Sequence, residues 1–174
     1  MLKKESSFLP IVNNNSRILI LGSFPSVLSI KYDFYYANKR NQFWPIINEI
    51  FTADAQKNEE RKQLVLQKQI ALWDSVHICE RENSADSQLQ VMKSNDIKGL
   101  LTKYPKINTI FFNGKKSQQV YLKSNSDIDI YTKALPSTSS AYAAMKYNEK
   151  LAIYAENILE RLRNCNLKPN NIAR

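Results

Sequence analysis

Two asparagines stand where an amide could do chemistry. Asn41, in "KRNQFW", precedes an aromatic, apolar run, and Asn113, in "FFNG", ends one. An asparagine at a helix start is ordinarily a cap whose side-chain oxygen accepts a backbone N–H. At the end of an apolar strand an amide is costly unless paired, so Asn113 makes an Asn-Gly turn or meets a polar ligand. The segment Gly22-Ser23-Phe24-Pro25-Ser26 is a tight exit. Its glycine lets the backbone approach a ligand and its N–H groups can donate, although a plain turn reads the same. In "ALPSTSSAY", the hydroxyls after Pro136 (Ser137, Thr138, Ser139, Ser140) can donate to phosphate, or Ser139 or Ser140 can cap a helix. Asp74, after Trp73, could orient a partner, hold water or cap the next loop. Tyr35 and Tyr36 in "FYYANKRNQFWP" are core or stacking rings, and a loop position favours stacking.

Other chemistries lack their parts. No Gly-x-Ser-x-Gly elbow exists, and His77 is the sole histidine, which reads as structural. The three-glycine dinucleotide fingerprint and the phosphate-binding Gly-Lys-Ser/Thr are both absent. Cys79 and Cys165 are far apart, which argues against a disulfide framework or an iron–sulfur cluster. One histidine excludes a multi-histidine metal site; a carboxylate-held Mg²⁺ is left open.

The elements that must position these residues alternate. "RILIL" (17–21), closed by Gly22, reads as a strand buried on both faces. "NQFWPIINEIF" reads as a helix with Pro45 in its first turn, because in the interior it would break the ladder. A charged helix over 56–68 precedes a strand "IALWDSV" from Ile70, followed by the polar, turn-like "ICERENSADS". Asn95-Asp96 caps a helix through about Lys103, ended by Pro105. "INTIFFN" is a third strand, "KKSQQVYLKS" a helix and "IDIYTKAL" a fourth strand. The last helix carries Leu151, Tyr154, Ala155, Ile158 and Leu162 on one face. Such alternation predicts an α/β fold, a three-layer α/β/α sandwich around a central, mainly parallel four-stranded sheet. Ligands of such sheets sit at the carboxyl ends of the strands, where "GSFPS", "WDS", "FNG" and "LPSTSS" fall.

At 174 residues, 43% of them hydrophobic and 24% charged, the chain reads as one domain over 1–174, with tails at about 1–16 and 164–174. The apolar stretch "FLPIV" is too short for a signal peptide and no run could span a bilayer, so a cytoplasmic address is expected, with no membrane partner. The formal net charge of +9 favours a polyanionic partner, nucleic acid first.

Taken together, "ILGSFPSVLS", "FYYANKRNQFW", "IALWDSVHICERENSADS", "NDI", "FFNG" and "LPSTSSAYA" resemble, in order, the uracil-DNA glycosylase superfamily, and within it the hypoxanthine-DNA (deoxyinosine) glycosylase branch. The resemblance implies a monofunctional, monomeric glycosylase that excises deaminated bases from DNA without metal or organic cofactor. It implies that Ser23 and Phe24 face the base through their backbone, supported by Gly22 and Pro25. Tyr36 aligns with the ring on which the flipped base stacks, Asn41 with the catalytic asparagine and Asn113 with the reader of the base edge. Pro136, Ser137, Thr138 and Ser139 would form the loop that grips DNA. Phe24 and Leu135 are apolar where relatives carry polar groups, and Asn38-Lys39 replaces a His-Pro pair, which loosens the loop. Lys39, Arg40, Lys115 and Lys116 are the candidates to meet phosphate, with affinity falling steeply as salt rises. Breaking an N-glycosidic bond makes the sugar cationic and the base electron-rich. Donors at the base and a water held under C1′ can therefore suffice without an acid–base pair.

Overall fold

The computed structural model describes residues 3–81 and 90–166. Its centre is β2 (Ile18–Gly22), buried along its whole length, as the unbroken apolar run requires. Ile18 and Ile20 enter one core layer and Leu19 and Leu21 the other, the alternation that a pleated strand imposes. β3 (Ile70–Asp74) and β6 (Thr109–Asn113) pair with β2 on either side, and β7 (Tyr131–Leu135) pairs with β6. All three pairings are parallel, giving the order β3-β2-β6-β7.

Helices cover both faces, so the expected three layers are present. On one side α2 (Phe43–Ile50), α3 (Asn58–Gln67) and α6 (Tyr147–Asn166) bury Phe43, Ile46, Ile47, Val65, Tyr154 and Ile158. On the other, α4 (Ile97–Lys103) and α5 (Lys115–Asn125) bury Ile97, Leu100 and Tyr121. A short α1 (Val27–Lys31) follows β2 directly. Pro45 occupies the first turn of α2, where its missing N–H leaves no gap in the ladder. Asp96 caps α4, its Oδ1 accepting the Gly99 N–H at 2.9 Å. The chain leaves β2 for β3 through α2 and α3, then crosses back to β6 through α4. The ends of β2 and β6 thus flank the point where the strand order reverses.

Three expectations need correction. Residues 3–16 are no loose tail. β1 (Lys3–Ser6), β4 (Val76–Arg81) and β5 (Gln90–Ser94) form a second, antiparallel sheet in the order β1-β4-β5. Beyond β1, Ile11 exchanges two 2.9 Å backbone hydrogen bonds with Leu72, closing the free edge of β3. Trp73 Nε1 and Tyr35 Oη donate to the carbonyls of Phe8 and Leu9 and hold the same segment down.

The run "IALWDSV" is also not one strand, and the residues after it do not begin as a turn. At Ser75 the N–H donates to the Gly22 carbonyl, and the Val76 N–H donates to that of Ser23. This bends the chain out of β3 into β4, which extends through Arg81. At the far end α6 continues to Asn166, so the first part of the expected tail is helical; residues 167–174 lie outside the described set.

Candidate active site

The strand ends enclose a cleft of about 330 Å³. Its base is the Gly22–Ser26 exit with Asp74. Tyr36 and Asn41 form one wall, Asn113 another, and Ser137–Ser139, Ala141 and Tyr142 the lip. Gly22 is glycine because of space. A Cβ there would lie 2.5 Å from Asp74 Oδ1 and 3.1 Å from Tyr36 Oη. Pro25 ends the exit, and Ser26 Oγ accepts the Ser29 N–H at 3.0 Å to start α1. Phe24 reaches the cleft, but it is buried within an apolar cluster with Val76, Cys79 and Val120. Asp74 is 3% exposed. Burial first, then the Asp74 carboxylate, holds the Tyr35 hydroxyl well above the ordinary tyrosine range.

Asn41 makes a local hydrogen bond and lines the cleft at once. Its Oδ1 accepts the Phe43 N–H at 2.9 Å, tying down the first N–H of α2. A carbonyl oxygen has two lone pairs, so this bond leaves one. The replaced proline has a substitute. Asn38 Oδ1 accepts the Arg40 N–H at 3.0 Å, and its carbonyl accepts the Asn41 N–H at 2.8 Å. This turn fixes the loop that a His-Pro pair would otherwise stiffen.

Tyr36 adopts φ 54°, a left-handed conformation that is uncommon for a bulky side chain. The twist sends successive rings to different places. Tyr35 enters the core, where its carbonyl accepts Trp44 Nε1 at 2.8 Å, and Tyr36 enters the cleft. Tyr36 stacks on Phe43 with centroids 4.0 Å apart, which covers one of its faces.

The Asn113 side chain is held by Thr138. The Thr138 N–H donates to Oδ1 and Nδ2 donates to Thr138 Oγ1, both at 2.8 Å. One lone pair and one N–H of the amide remain. The assignment of Thr138 to phosphate therefore needs correction. It is fully buried, its hydroxyl faces Asn113, and its carbonyl accepts the Gln42 N–H at 3.0 Å. Ser139 and Ser140 cap no helix either, since α6 starts only at Tyr147. Ser137 Oγ instead accepts the Ser139 N–H, and Ser139 Oγ that of Ala141, in successive tight turns. Pro136 stands behind the lip, its carbonyl accepting Tyr154 Oη at 3.0 Å.

Leu135 is 3% exposed and belongs to the core layer under α6. Lys39 and Arg40 are exposed in the turn before Asn41; Lys115 is exposed and Lys116 half-buried at the start of α5, just after Asn113. His77 lies in β4, away from the cleft. Sequence reasoning missed Gln42, Tyr142 and Lys150. The signal for Lys150 was its register, four residues before Tyr154 on the buried stripe of α6.

The model of the uracil DNA glycosylase superfamily matches residues 9–163. The chain belongs to the uracil DNA glycosylase superfamily. A curated relative from Methanosarcina acetivorans, named hypoxanthine DNA glycosylase, is 35% identical over 86% of this chain and 94% of its own length. One of the same name from Methanosarcina barkeri is 33% identical over 66% of this chain and 73% of that one. The solution NMR structure of a uracil DNA glycosylase candidate from Methanosarcina acetivorans superposes with a TM-score of 0.76 at 31% identity, covering 88% of this chain and 98% of that one. As a superfamily member with these relatives, the protein is a DNA glycosylase, a hydrolase of N-glycosyl bonds. Among the described residues no helix is long and apolar enough to cross a membrane.

Proposed function

We propose that this glycosylase is monofunctional and removes deaminated bases from DNA, hypoxanthine first, leaving an abasic site. The observation that carries the reading is the pair of cleft amides, Asn41 and Asn113, each with its oxygen identified by a backbone N–H. The name of the 35%-identical relative supports the base.

A base must leave the stack to reach this cleft, at a cost of a few kcal/mol that is least at a mispaired lesion. Stacking of the base on Tyr36, about 1–3 kcal/mol per base, offsets much of that. Hypoxanthine presents a keto acceptor beside an imino donor. The remaining N–H and lone pair of Asn113 match that pair, and Thr138 prevents the amide from flipping to match adenine. As the bond breaks, backbone donors of Ser23 and Phe24 and the Asn113 N–H stabilise charge on the departing base. Asn41 Oδ1 offers its second lone pair to a water under C1′, aligning that water for attack on the cationic sugar. Lys39, Arg40, Lys115 and Lys116 meet the flanking phosphates, assisted by Ser137 and Ser139.

Labelled duplexes bearing a single deoxyinosine, deoxyuridine or xanthine, incubated with the protein and treated with alkali, test this. Cleavage at deoxyinosine, lost in Asn41→Ala, is the expected result. Binding without cleavage of any lesion, or release of base only from free inosine, would refute it.

A further inference from the structure

The cleft has two halves that come from distant parts of the chain. Asn41 and Tyr36 belong to the loop before α2, whereas Asn113, Ser137 and Tyr142 belong to β6 and the β7–α6 loop. Their alignment sets the distance between the water held by one amide and the base held by the other. The β7–α6 loop spans residues 136–146 and has no regular structure to stiffen it. Something must fix it to α2.

Lys150, in the first turns of α6, is 1% exposed although it carries an ammonium. Its Nζ donates to Gln42 Oε1 at 2.9 Å and to the Tyr142 carbonyl at 2.9 Å. The same nitrogen lies 5.1 Å from the Tyr142 ring centroid, within cation–π range. Gln42 follows Asn41, and its N–H donates to the carbonyl of Thr138, which in turn holds Asn113. One buried cation thus joins the lip of the cleft to both amides. Hydrogen bonds from a charged donor are stronger than neutral ones, and burial sharpens them further.

We propose that Lys150 is a positioning residue of the glycosylase, a clamp that keeps the β7–α6 loop and the start of α2 in catalytic register. The inference rests on the functional reading above, because register matters through the step that joins water and base. Lys150 touches neither water nor base. It acts through Gln42 and Tyr142.

The test compares wild type with Lys150→Met, Gln42→Leu and the double variant. Single-turnover cleavage of a deoxyinosine duplex is followed as enzyme is titrated to saturation. Amide hydrogen exchange at Gln42 and Tyr142 is measured on the same proteins. Lys150→Met should lower the saturating rate by about tenfold to a hundredfold, the range produced by an ångström-scale misplacement. The half-saturating concentration should move by less than about threefold, because the phosphate-facing side chains are untouched. The double variant should be no slower than Lys150→Met, since both changes break the same link. Both amides should exchange faster.

A saturating rate within about twofold of wild type, or effects of the two single changes that simply multiply, would overturn the clamp. Should Lys150→Met fail to fold, Gln42→Leu decides alone: an unchanged rate and unchanged exchange at Tyr142 overturn it. If wild type cleaves none of the lesions, the functional reading has failed, and hydrogen exchange still judges the clamp.

Discussion

Replacing Gly22 by alanine tests the base of the cleft with one methyl group. The added Cβ would lie 2.5 Å from Asp74 Oδ1, whereas ordinary contact begins at 3.4 Å. The carboxylate must therefore retreat by about 1 Å, a displacement that elsewhere in active sites costs on the order of a hundredfold in rate. It has little room to do so. Asp74 is 3% exposed, its backbone is paired in β3 opposite Gly22, and its carbonyl accepts Asn95 Nδ2 at 2.8 Å. Overpacking of this kind costs about 1–3 kcal/mol. For a chain of this size each kcal/mol lowers the melting temperature by about 2–4 °C. Thermal melting and single-turnover cleavage of a deoxyinosine duplex should both register the change. In an Asp74→Ala background the obstructing oxygen is gone and only the 3.1 Å approach to Tyr36 Oη remains. There the same substitution should cost less than in the wild-type background, a coupling expected of neighbours in contact. A Gly22→Ala protein with wild-type melting and wild-type rate, or identical costs in the two backgrounds, would refute the reasoning.

Other outcomes follow from the same contacts. Asn41→Ala should lose activity together with about 0.5–2 kcal/mol of stability, whereas Asn41→Ser, which keeps a side-chain oxygen for that N–H but no amide, should lose activity with little change in melting temperature. Thr138→Val keeps the N–H that holds Asn113 Oδ1 but removes the acceptor of Nδ2; chemical denaturation should show a loss of about 1–3 kcal/mol, with slower excision of hypoxanthine. Tyr35 and Tyr154 are held neutral well above the ordinary range, both chiefly by burial, and Tyr147 is pushed up to about 12 by burial and its hydrogen bond to Glu49. Unfolded tyrosines ionise near pH 10, so above that the folded chain binds more protons than the unfolded one and stability falls as pH rises. Denaturation midpoints should hold below pH 10 and drop from pH 10 towards 12, with tyrosinate absorbance appearing at unfolding; a flat profile over that range contradicts the assigned burial.

The parallel sheet was legible because each of its central strands is a closed apolar block. "RILIL" and "TIFF" read as strands of a doubly covered layer, and Gly22 and Asn113 mark their ends. The second sheet was not legible. β4 reads "VHICER", in which Val76 and Cys79 are fully buried, and its existence depends on a bend at Ser75 made by hydrogen bonds to Gly22 and Ser23, more than fifty positions away. β1, "KKES", has no apolar periodicity at all. Its pairing to β4 is a tertiary fact. In the cleft, identities of the polar residues were readable but their commitments were not. Thr138 looks like any hydroxyl in a polar loop until the Asn113 amide is seen against it. Lys150 violates the apolar stripe of α6, and that violation was the available sign of a buried cation.

The cleft amides explain why this site resists analysis by alanine substitution alone. Asn41 holds the first turn of α2 and lines the cleft; Asn113 holds Thr138 and lines the cleft. Orientation is thereby fixed before substrate arrives, and a site whose dipoles need no reorganisation stabilises developing charge more effectively than one that must rearrange. The apolar side chains of Phe24 and Leu135 fit the proposed scheme, because both are buried in core clusters and leave the polar roles to other groups. The consequence is a coupling of fold to chemistry. Removing either amide would disturb a loop as well as the proposed catalytic contact, and a lost activity would then have two causes. Only exchanges that keep the structural bond and delete the chemical group, such as Asn41→Ser, separate them. If Asn41→Ser melts like wild type and also cleaves like it, the water-holding role belongs to another group, and the carboxylate of Asp74 at the base of the cleft is the next to test.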